Sequence, residues 1–337
     1  MPNRPIVTSL STGLILTAAL TQSCINEGLT ECSNYLTPLE VENHWVLAPD
    51  AQPEGMACCF FPANGDAPWR FDFAGRDGGE VKIPISDYAF ITYNDDTQRI
   101  LFEQENSYTG LTATTLPASL TDGSDSDDAE SSGQQPARAT SPGEAVTLSP
   151  DMLWSCAIPE VKLGWQEITY IDTDGGSNPY VHSDLMLLPT HPAPVVCHYR
   201  FTIEDVVGLD GVAHMSASLS GMASGVNLST QRRSATAVTH PCDAAPSSEN
   251  YVEGNLLTFG RPEGAEAKCV LSLYVWLTDG QRLSYEFDVT DQADSAPDPM
   301  NVWLRLTGLT LPAPGDAGGA FNVTVDAWKT IVINIGD

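Results

Sequence analysis

The stretch "CVLSLYVWLTDGQRLSYEFDVT", residues 269–290, decides the fold class. Its second half alternates: Leu283, Tyr285, Phe287 and Val289 fall on one face, Arg282, Ser284, Glu286 and Asp288 on the other. A period of two is that of a strand with one face buried. The first half, residues 269–277, is an apolar run of strand length, and Thr278-Asp279-Gly280-Gln281 separates the two. Asp-Gly between two such runs predicts a hairpin, because both residue types tolerate the positive-φ conformations that a tight turn needs.

Working outward, the same signal recurs. "MNVWLRLTGLTL", "GAFNVTV" and "KTIVINI" continue the pattern toward the C-terminus, the last with Ile331, Ile333 and Ile335 in phase. Upstream, "HWVLA", "GMACCFFP", "PWRFDFAG", "EVKIPI", "DYAFITYN" and "RILFE" are strand candidates separated by Gly-, Asn- and Asp-rich punctuation. Phe71, Phe73, Val81, Ile83 and Ile85 are expected to face one core. No segment offers a helix of three turns. Short strands with turn residues every ten or so positions predict antiparallel β-sandwiches.

Between the two strand-rich regions lies "SLTDGSDSDDAESSGQQPARATSPG", residues 119–143. Its Ser, Gly, Pro and Asp content buries too little apolar area to offset chain ordering, which predicts a flexible acidic loop. The strand-like "EAVTLS" and "PDMLWSCA" after it are expected to return to the first domain, making the loop an insertion in that domain. Gly and Pro breaks in "DTDGGSNPYVHSDLMLLPTHPAP", residues 172–194, place the boundary there. The resulting division is an N-terminal domain over 41–175, a linker over 176–193 and a C-terminal domain over 194–337.

The chain has 337 residues with 42% hydrophobic content, enough for real cores and, as a prior, two domains. Lys plus Arg number 15 against 44 Asp plus Glu, a formal net charge of −29. Such a surface repels phosphate backbones and anionic headgroups, so nucleic-acid binding and electrostatic membrane docking are disfavoured.

The N-terminus carries a different message. One cation, Arg4, precedes an uncharged stretch from Pro5 to Ala19 that includes Ile6, Val7, Leu14, Ile15 and Leu16. That is a signal-peptide profile, with an apolar part too short for a membrane span. Leu20, Thr21, Gln22 and Ser23 before Cys24 resemble the lipobox at which bacterial lipoproteins are cut and acylated, although leucine stands four places before the cysteine where three is usual. On this reading 1–23 is a signal peptide, Cys24 is the lipidated first residue, and 24–40 is a tether; the alternative is an ordinary secretory signal cut elsewhere. Acyl chains anchor by burial of methylenes at about 0.8 kcal/mol each.

Eight cysteines, at 24, 32, 58, 59, 156, 197, 242 and 269, become seven once Cys24 carries lipid, leaving at least one thiol free. Cys58 and Cys59 are adjacent in a strand-like run, where side chains point to opposite faces, so they are not expected to bridge each other. Cys197-His198 and His240-Pro-Cys242 lack the convergent spacing of a structural zinc site. The acidic tract Asp122, Asp125, Asp127, Asp128, Glu130 lacks the glycine and the closing glutamate of a calcium loop, and Asp172-Thr-Asp174-Gly-Gly is read as a turn. No metal or cofactor is therefore expected.

For catalysis the search finds no HExxH, GxSxG, phosphate-binding loop or dinucleotide fingerprint. Ser220-Gly221-Met222-Ala223 reads as a strand ending in a glycine turn. Tryptophans 45, 69, 154, 165, 276, 303 and 328 mostly fall in alternating strands, where core packing is the simpler assignment.

Several phrases in order resemble one known family. "GMACCFFPANGDAPWRFDF", "GGEVKIPISDYAFITYN", "SPDMLWSCA", "MSASLSGMASGVNLST", "NLLTFGRP" and "FNVTVDAWKTIVINI" are similar to the Bacteroidetes fimbrillin-like lipoproteins that include the FimB-type anchoring subunits of fimbriae. Phe61-Pro62 with Gly65, Ile83-Pro84, Tyr88 and Tyr93-Asn94 carry the N-terminal part of the resemblance. Ser86 stands where the family often has Gly, and the 119–143 insertion is long for it. The resemblance implies an all-β protein of two tandem transthyretin-like Greek-key β-sandwich domains, lipid-anchored at Cys24 to the outer membrane and exposed at the cell surface. It implies fimbrial anchoring, assembly or adhesion through β-strand contacts with fimbrial subunits or other surface proteins, without catalysis. The run Ile331 to Ile335 is a candidate exchanged strand, with an ordinary core edge strand as the simpler assignment. A surface glycan-binding lipoprotein is the alternative, and a secreted hydrolase a third class.

Overall fold

In the computed structural model, which describes residues 36–118, 144–164, 170–171, 177–178, 186–264, 266–315 and 329–333, the hairpin of residues 269–290 is formed by Val270–Leu277 and Arg282–Asp288. The pair is antiparallel, from Val270 opposite Asp288 to Trp276 opposite Arg282. Gly280 takes φ 88° in the turn, and Asp279 Oδ1 accepts the Gln281 N–H at 3.0 Å. The described protein is all-β apart from short helical turns and one five-residue helix, Thr290–Asp294.

Around the hairpin a six-stranded sheet runs in the order Lys329–Ile333, Arg282–Asp288, Val270–Leu277, Val212–Ala223, Ala237–Asp243, Ala145–Val146. A four-stranded sheet, Ala245–Pro246, Val252–Thr258, Cys197–Glu204 and Asn301–Thr307, covers it. Inward residues of both sheets, among them Tyr199, Phe201, Leu271, Leu273, Tyr285, Phe287 and Leu304, meet in one core drawn from residues 197–311. Burying side chains of this size contributes roughly 1.5–3 kcal/mol each. Arg261 locks one corner: its guanidinium donates to the carbonyls of Gly221 and Ala267 and pairs with Asp294 at 2.8 Å.

The N-terminal region is organised by one strand. Gly55–Pro62 lies inside a five-stranded sheet, Ala193–Pro194, Trp154–Lys162, Asp87–Asn94, Gly55–Pro62, Trp69–Ala74. Six consecutive residues of it, Met56 to Phe61, are buried. Cys58 and Phe60 point into a core closed by Leu39, Val41, Val81 and Ile83 of a three-stranded sheet, Met186–Thr190, Leu36–Asn43, Gly78–Pro84. Ala57, Cys59 and Phe61 point the other way, into a core with Ile100, Ala113, Val226 and Phe259. The run "GMACCFFP" is unbroken because both its faces are covered. Cys58 and Cys59 thus sit in different cores, as strand geometry requires.

That second core joins the halves of the chain. Gly225–Asn227 adds to Thr112–Thr115, which pairs with Ile100–Glu103. Asn227 Nδ2 also donates to the Thr109 carbonyl at 2.8 Å.

Some expectations are corrected. "HWVLA" holds a 3-10 turn, Trp45–Leu47, with Trp45 buried edge-on to Trp154 and Val46 and Leu47 exposed. Residues 36–40, read as tether, begin the strand Leu36–Asn43. "EAVTLS" does not return to the N-terminal sheets: Ala145–Val146 pairs with Val238 and Thr239. "PDMLWSCA" does return, because Asp151 Oδ2 accepts the N–H groups of Gln98 and Arg99 and Asn94 holds the Met152 carbonyl and the Trp154 N–H. Ile85 is only half-buried and stands outside the core of Val81 and Ile83. The sandwiches are mixed rather than antiparallel, with parallel ladders at Leu36–Asn43/Met186–Thr190, Cys197–Glu204/Asn301–Thr307, Ala237–Asp243/Ala145–Val146 and Arg282–Asp288/Lys329–Ile333. Each parallel partner arrives from a remote part of the chain, so local turn chemistry does not announce it.

Candidate functional site

Among the described residues, the side chains that the sequence singled out are not brought together in one centre. Among the described residues no group of three or more His, Cys, Asp or Glu is placed to hold a metal ion. His240 is fully buried and uses Nδ1 toward the Thr147 carbonyl at 3.1 Å, and its Nε2 has no partner. Burial lowers its pKa to about 4, so the imidazole is neutral. Cys197 touches Arg233 Nη2 and Met300 Sδ. The described cysteines, 58, 59, 156, 197, 242 and 269, are unbridged, and burial raises Cys58 to about 12 and Cys59 to about 11. Thiols so raised are poor nucleophiles at neutral pH. Ser220 lies buried within the strand Val212–Ala223, where Gly221 forms a bulge between Leu219 and Met222. That strand continues through Gly221 instead of ending there.

Cys24, Cys32, the acidic tract 122–130, Asp172 and Asp174, Trp165, Trp328, "GAFNVTV" and Ile335 lie outside the described residues. Trp45 is buried, and Trp154 and Trp276 are half-buried. Trp69 and Trp303 are each 39% exposed, against the core assignment. The signal for Trp303 was in the sequence: it shares its phase with Arg305 and Thr307, opposite to Val302, Leu304 and Leu306.

What the fold does build is a set of treated sheet edges. An open edge presents unpaired N–H and C=O groups that invite another strand. Both edges of the six-stranded sheet are filled by short parallel strands from distant parts of the chain. On one side Lys329–Ile333 lies along Leu283 to Phe287. Opposite it, Ala145–Val146 lies along Val238 and Thr239, pinned by the Glu144 carboxylate, which accepts from the Gly221 N–H at 3.1 Å and the Thr239 hydroxyl at 3.0 Å. The outer strand of the five-stranded sheet, Trp69–Ala74, is instead guarded by charge. Arg70 binds Asp72, Asp95 and Glu105 at 2.8, 3.0 and 2.7 Å and donates to the Tyr93 hydroxyl at 3.2 Å. At the junction of the halves, a polar hollow of about 500 Å³ is lined by Thr109, Thr112, Asn227, Arg232, Arg233 and Glu263.

Stacked mixed sheets with edges completed by remote strands make this a β-sandwich protein. The chain belongs to the family described as Domain of unknown function (DUF5119), whose model matches residues 23–243. It is 25% identical over 185 residues to a candidate fimbrium anchoring subunit, Fim4B, of Bacteroides ovatus. That match covers 55% of this chain and 45% of the relative, so the chain spans less than half of that curated protein. The fold is similar to that of a candidate adhesin of Bacteroides ovatus, at 21% identity and TM-score 0.58, covering 83% of this chain and 93% of the other. A weaker likeness, with 10% identity, TM-score 0.43 and coverage of 81% and 90%, is to the fimbrial anchor protein Mfa2 of Porphyromonas gingivalis. The match to the Bacteroides ovatus anchoring subunit agrees with the resemblance read from the order of motifs.

Proposed function

We propose that this protein is a fimbrial anchor, assembly or adhesion subunit without catalytic activity, held in the outer membrane by acyl chains on Cys24 after removal of residues 1–23. Its partners are other fimbrial subunits, met through added β-strands. The observation that carries the reading is the six-stranded sheet, whose two edges each accept a short parallel strand from a distant part of the same chain. Edges that bind a strand in cis have the geometry to bind one in trans, with main-chain bonds supplying affinity and alternate side chains supplying selectivity.

The reading extends to architecture. One core is drawn wholly from residues 197–311 and another from residues 39–163 with Met186 and Leu188 packed on it, which supports two transthyretin-like sandwich bodies in tandem; Met186–Thr190, expected as linker, belongs to the N-terminal body, so the boundary falls beyond it. The similarity to a candidate fimbrium anchoring subunit supports the role.

The test is genetic and biochemical. Deleting the gene is expected to release fimbriae from the cell or change their length, and tagged protein is expected to copurify with a fimbrial subunit from the outer-membrane fraction. Fimbriae that stay attached at normal length, with no subunit captured, would overturn the assignment.

A further inference from the structure

The solvent face of the four-stranded sheet differs chemically from the rest of this acidic surface. Strands Cys197–Glu204 and Asn301–Thr307 send alternate residues inward to the core, leaving His198, Arg200 and Glu204, then Asn301, Trp303 and Arg305, exposed. Strand pairing sets Arg200 directly between Asn255 and Trp303, and Thr202 between Glu253 and Arg305.

Trp303 organises this face. The Arg200 guanidinium lies 4.2 Å from the centre of its ring and that of Arg305 3.5 Å. The indole N–H donates to Thr202 Oγ1 at 3.1 Å, which fixes the ring in the sheet plane's outer layer. Cation–π contact holds both guanidiniums in place without consuming their N–H donors. The chain has 44 Asp and Glu for 15 Lys and Arg. Arg70, Arg76, Arg99, Arg232 and Arg261 each pair with a carboxylate. Among the described residues Arg200 and Arg305 pair with none, and their forks are ordered and unspent.

Two hollows adjoin on this face, of about 340 and about 430 Å³, and share Arg200 and Asn255. The first adds His198 and Asn301, and the second adds Asp243, Glu253 and Trp303. Amide and carboxylate groups beside arginine suit a ligand that presents both hydroxyls and anions. A protein interface fits less well, because the centre of such interfaces is depleted in Asp and Glu, and here Asp243 and Glu253 stand beside Arg200 and Trp303. Here the large exposed apolar contribution is Trp303. Asp243 and Glu253 repel a glycan with several anions per sugar, such as a highly sulfated one. A single carboxylate per sugar among hydroxyls lessens that repulsion, and a guanidinium fork matches a carboxylate in two-point geometry.

We propose that this face binds a carboxylated polysaccharide of the uronic-acid class. Arg200 and Arg305 take the carboxylates, and Asn255, Asn301, Asp243 and Glu253 take the sugar hydroxyls. This activity goes beyond fimbrial anchoring and does not depend on it.

The test titrates oligogalacturonate into the mature chain, followed by tryptophan fluorescence and calorimetry. Saturable binding is expected, weakening as salt rises. Arg200→Ala and Arg305→Ala are each expected to weaken it about tenfold or more. Thermal melts matching the parent verify that these variants fold, and Arg305→Lys, which keeps charge but loses the fork, is expected to fall between. A neutral galactose oligomer of equal length is expected not to bind. Absence of saturable binding, equal binding of the neutral oligomer, retention in both alanine variants, or binding of heparin or an acidic protein in place of oligogalacturonate would each overturn the proposal.

Discussion

The side-chain amide of Gln292 pairs with both main-chain groups of Arg305. Its Nε2 donates to the Arg305 carbonyl at 3.0 Å and its Oε1 accepts the Arg305 N–H at 2.8 Å. Arg305 lies on Asn301–Thr307, the outer strand of the four-stranded sheet, and Gln292 on the short helix Thr290–Asp294. One carboxamide therefore occupies the place of a neighbouring strand at the middle of an open edge, which blunts that edge against unplanned pairing.

Gln292→Ala removes both bonds and leaves the edge free. The expected cost is about 1 kcal/mol, since exposed neutral bonds give small net returns, together with a rise in self-association. Denaturant midpoints and light scattering over a concentration series read the two effects, and a variant that stays monomeric would show that the amide does not guard this edge.

His240 makes stability depend on pH. Its folded pKa is lowered to about 4 by burial, whereas the unfolded imidazole titrates near about 6.5. Between those values the unfolded state holds the extra proton, so the contribution is complete above about 6.5 and is lost as pH falls toward about 4, by about 3 kcal/mol in full. Urea unfolding of the parent and of His240→Leu at neutral and mildly acidic pH isolates this part, and the variant is expected to show the flatter profile.

Gly221 is a backbone requirement. Its φ is +72°, and an added Cβ would overlap the Lys268 carbonyl oxygen, while its own N–H and carbonyl are claimed by Glu144 and Arg261. Gly221→Ala is expected to cost about 2–4 kcal/mol through strain and overpacking, seen as a lower melting temperature.

Cys24→Ala tests the anchor. Metabolic labelling with a fatty acid is expected to mark the parent and not the variant, with the variant released from the membrane fraction. Equal labelling of both would place the lipid elsewhere or nowhere.

Legibility in the sequence followed locality. The hairpin of residues 270–288 was readable because Asp279 and Gly280 encode its turn and each strand carries its own alternation. Strand Gly55–Pro62 was readable as a strand, and its two covered faces explain its lack of alternation. Leu36–Asn43, "LTPLEVEN", was not: Pro38 and two acids weaken its signal, and its pairing with Gly78–Pro84 and Met186–Thr190 is set by tertiary contacts. Trp303 stands outside the core because its phase, shared with Arg305 and Thr307, outweighs the apolar character of its residue type. Its nearness to Arg200 was beyond reach of sequence, because the two are brought together by a parallel ladder between chain-distant strands.

The strand Leu36–Asn43 also decides how the molecule meets force. It runs between Gly78–Pro84 on one side, through seven residue pairs, and Met186–Thr190 on the other, through five. A pull entering at its N-terminal end loads both ladders lengthwise, so many bonds must break together instead of peeling one after another. A tension line attached at that end would thus be clamped at this strand by both ladders at once.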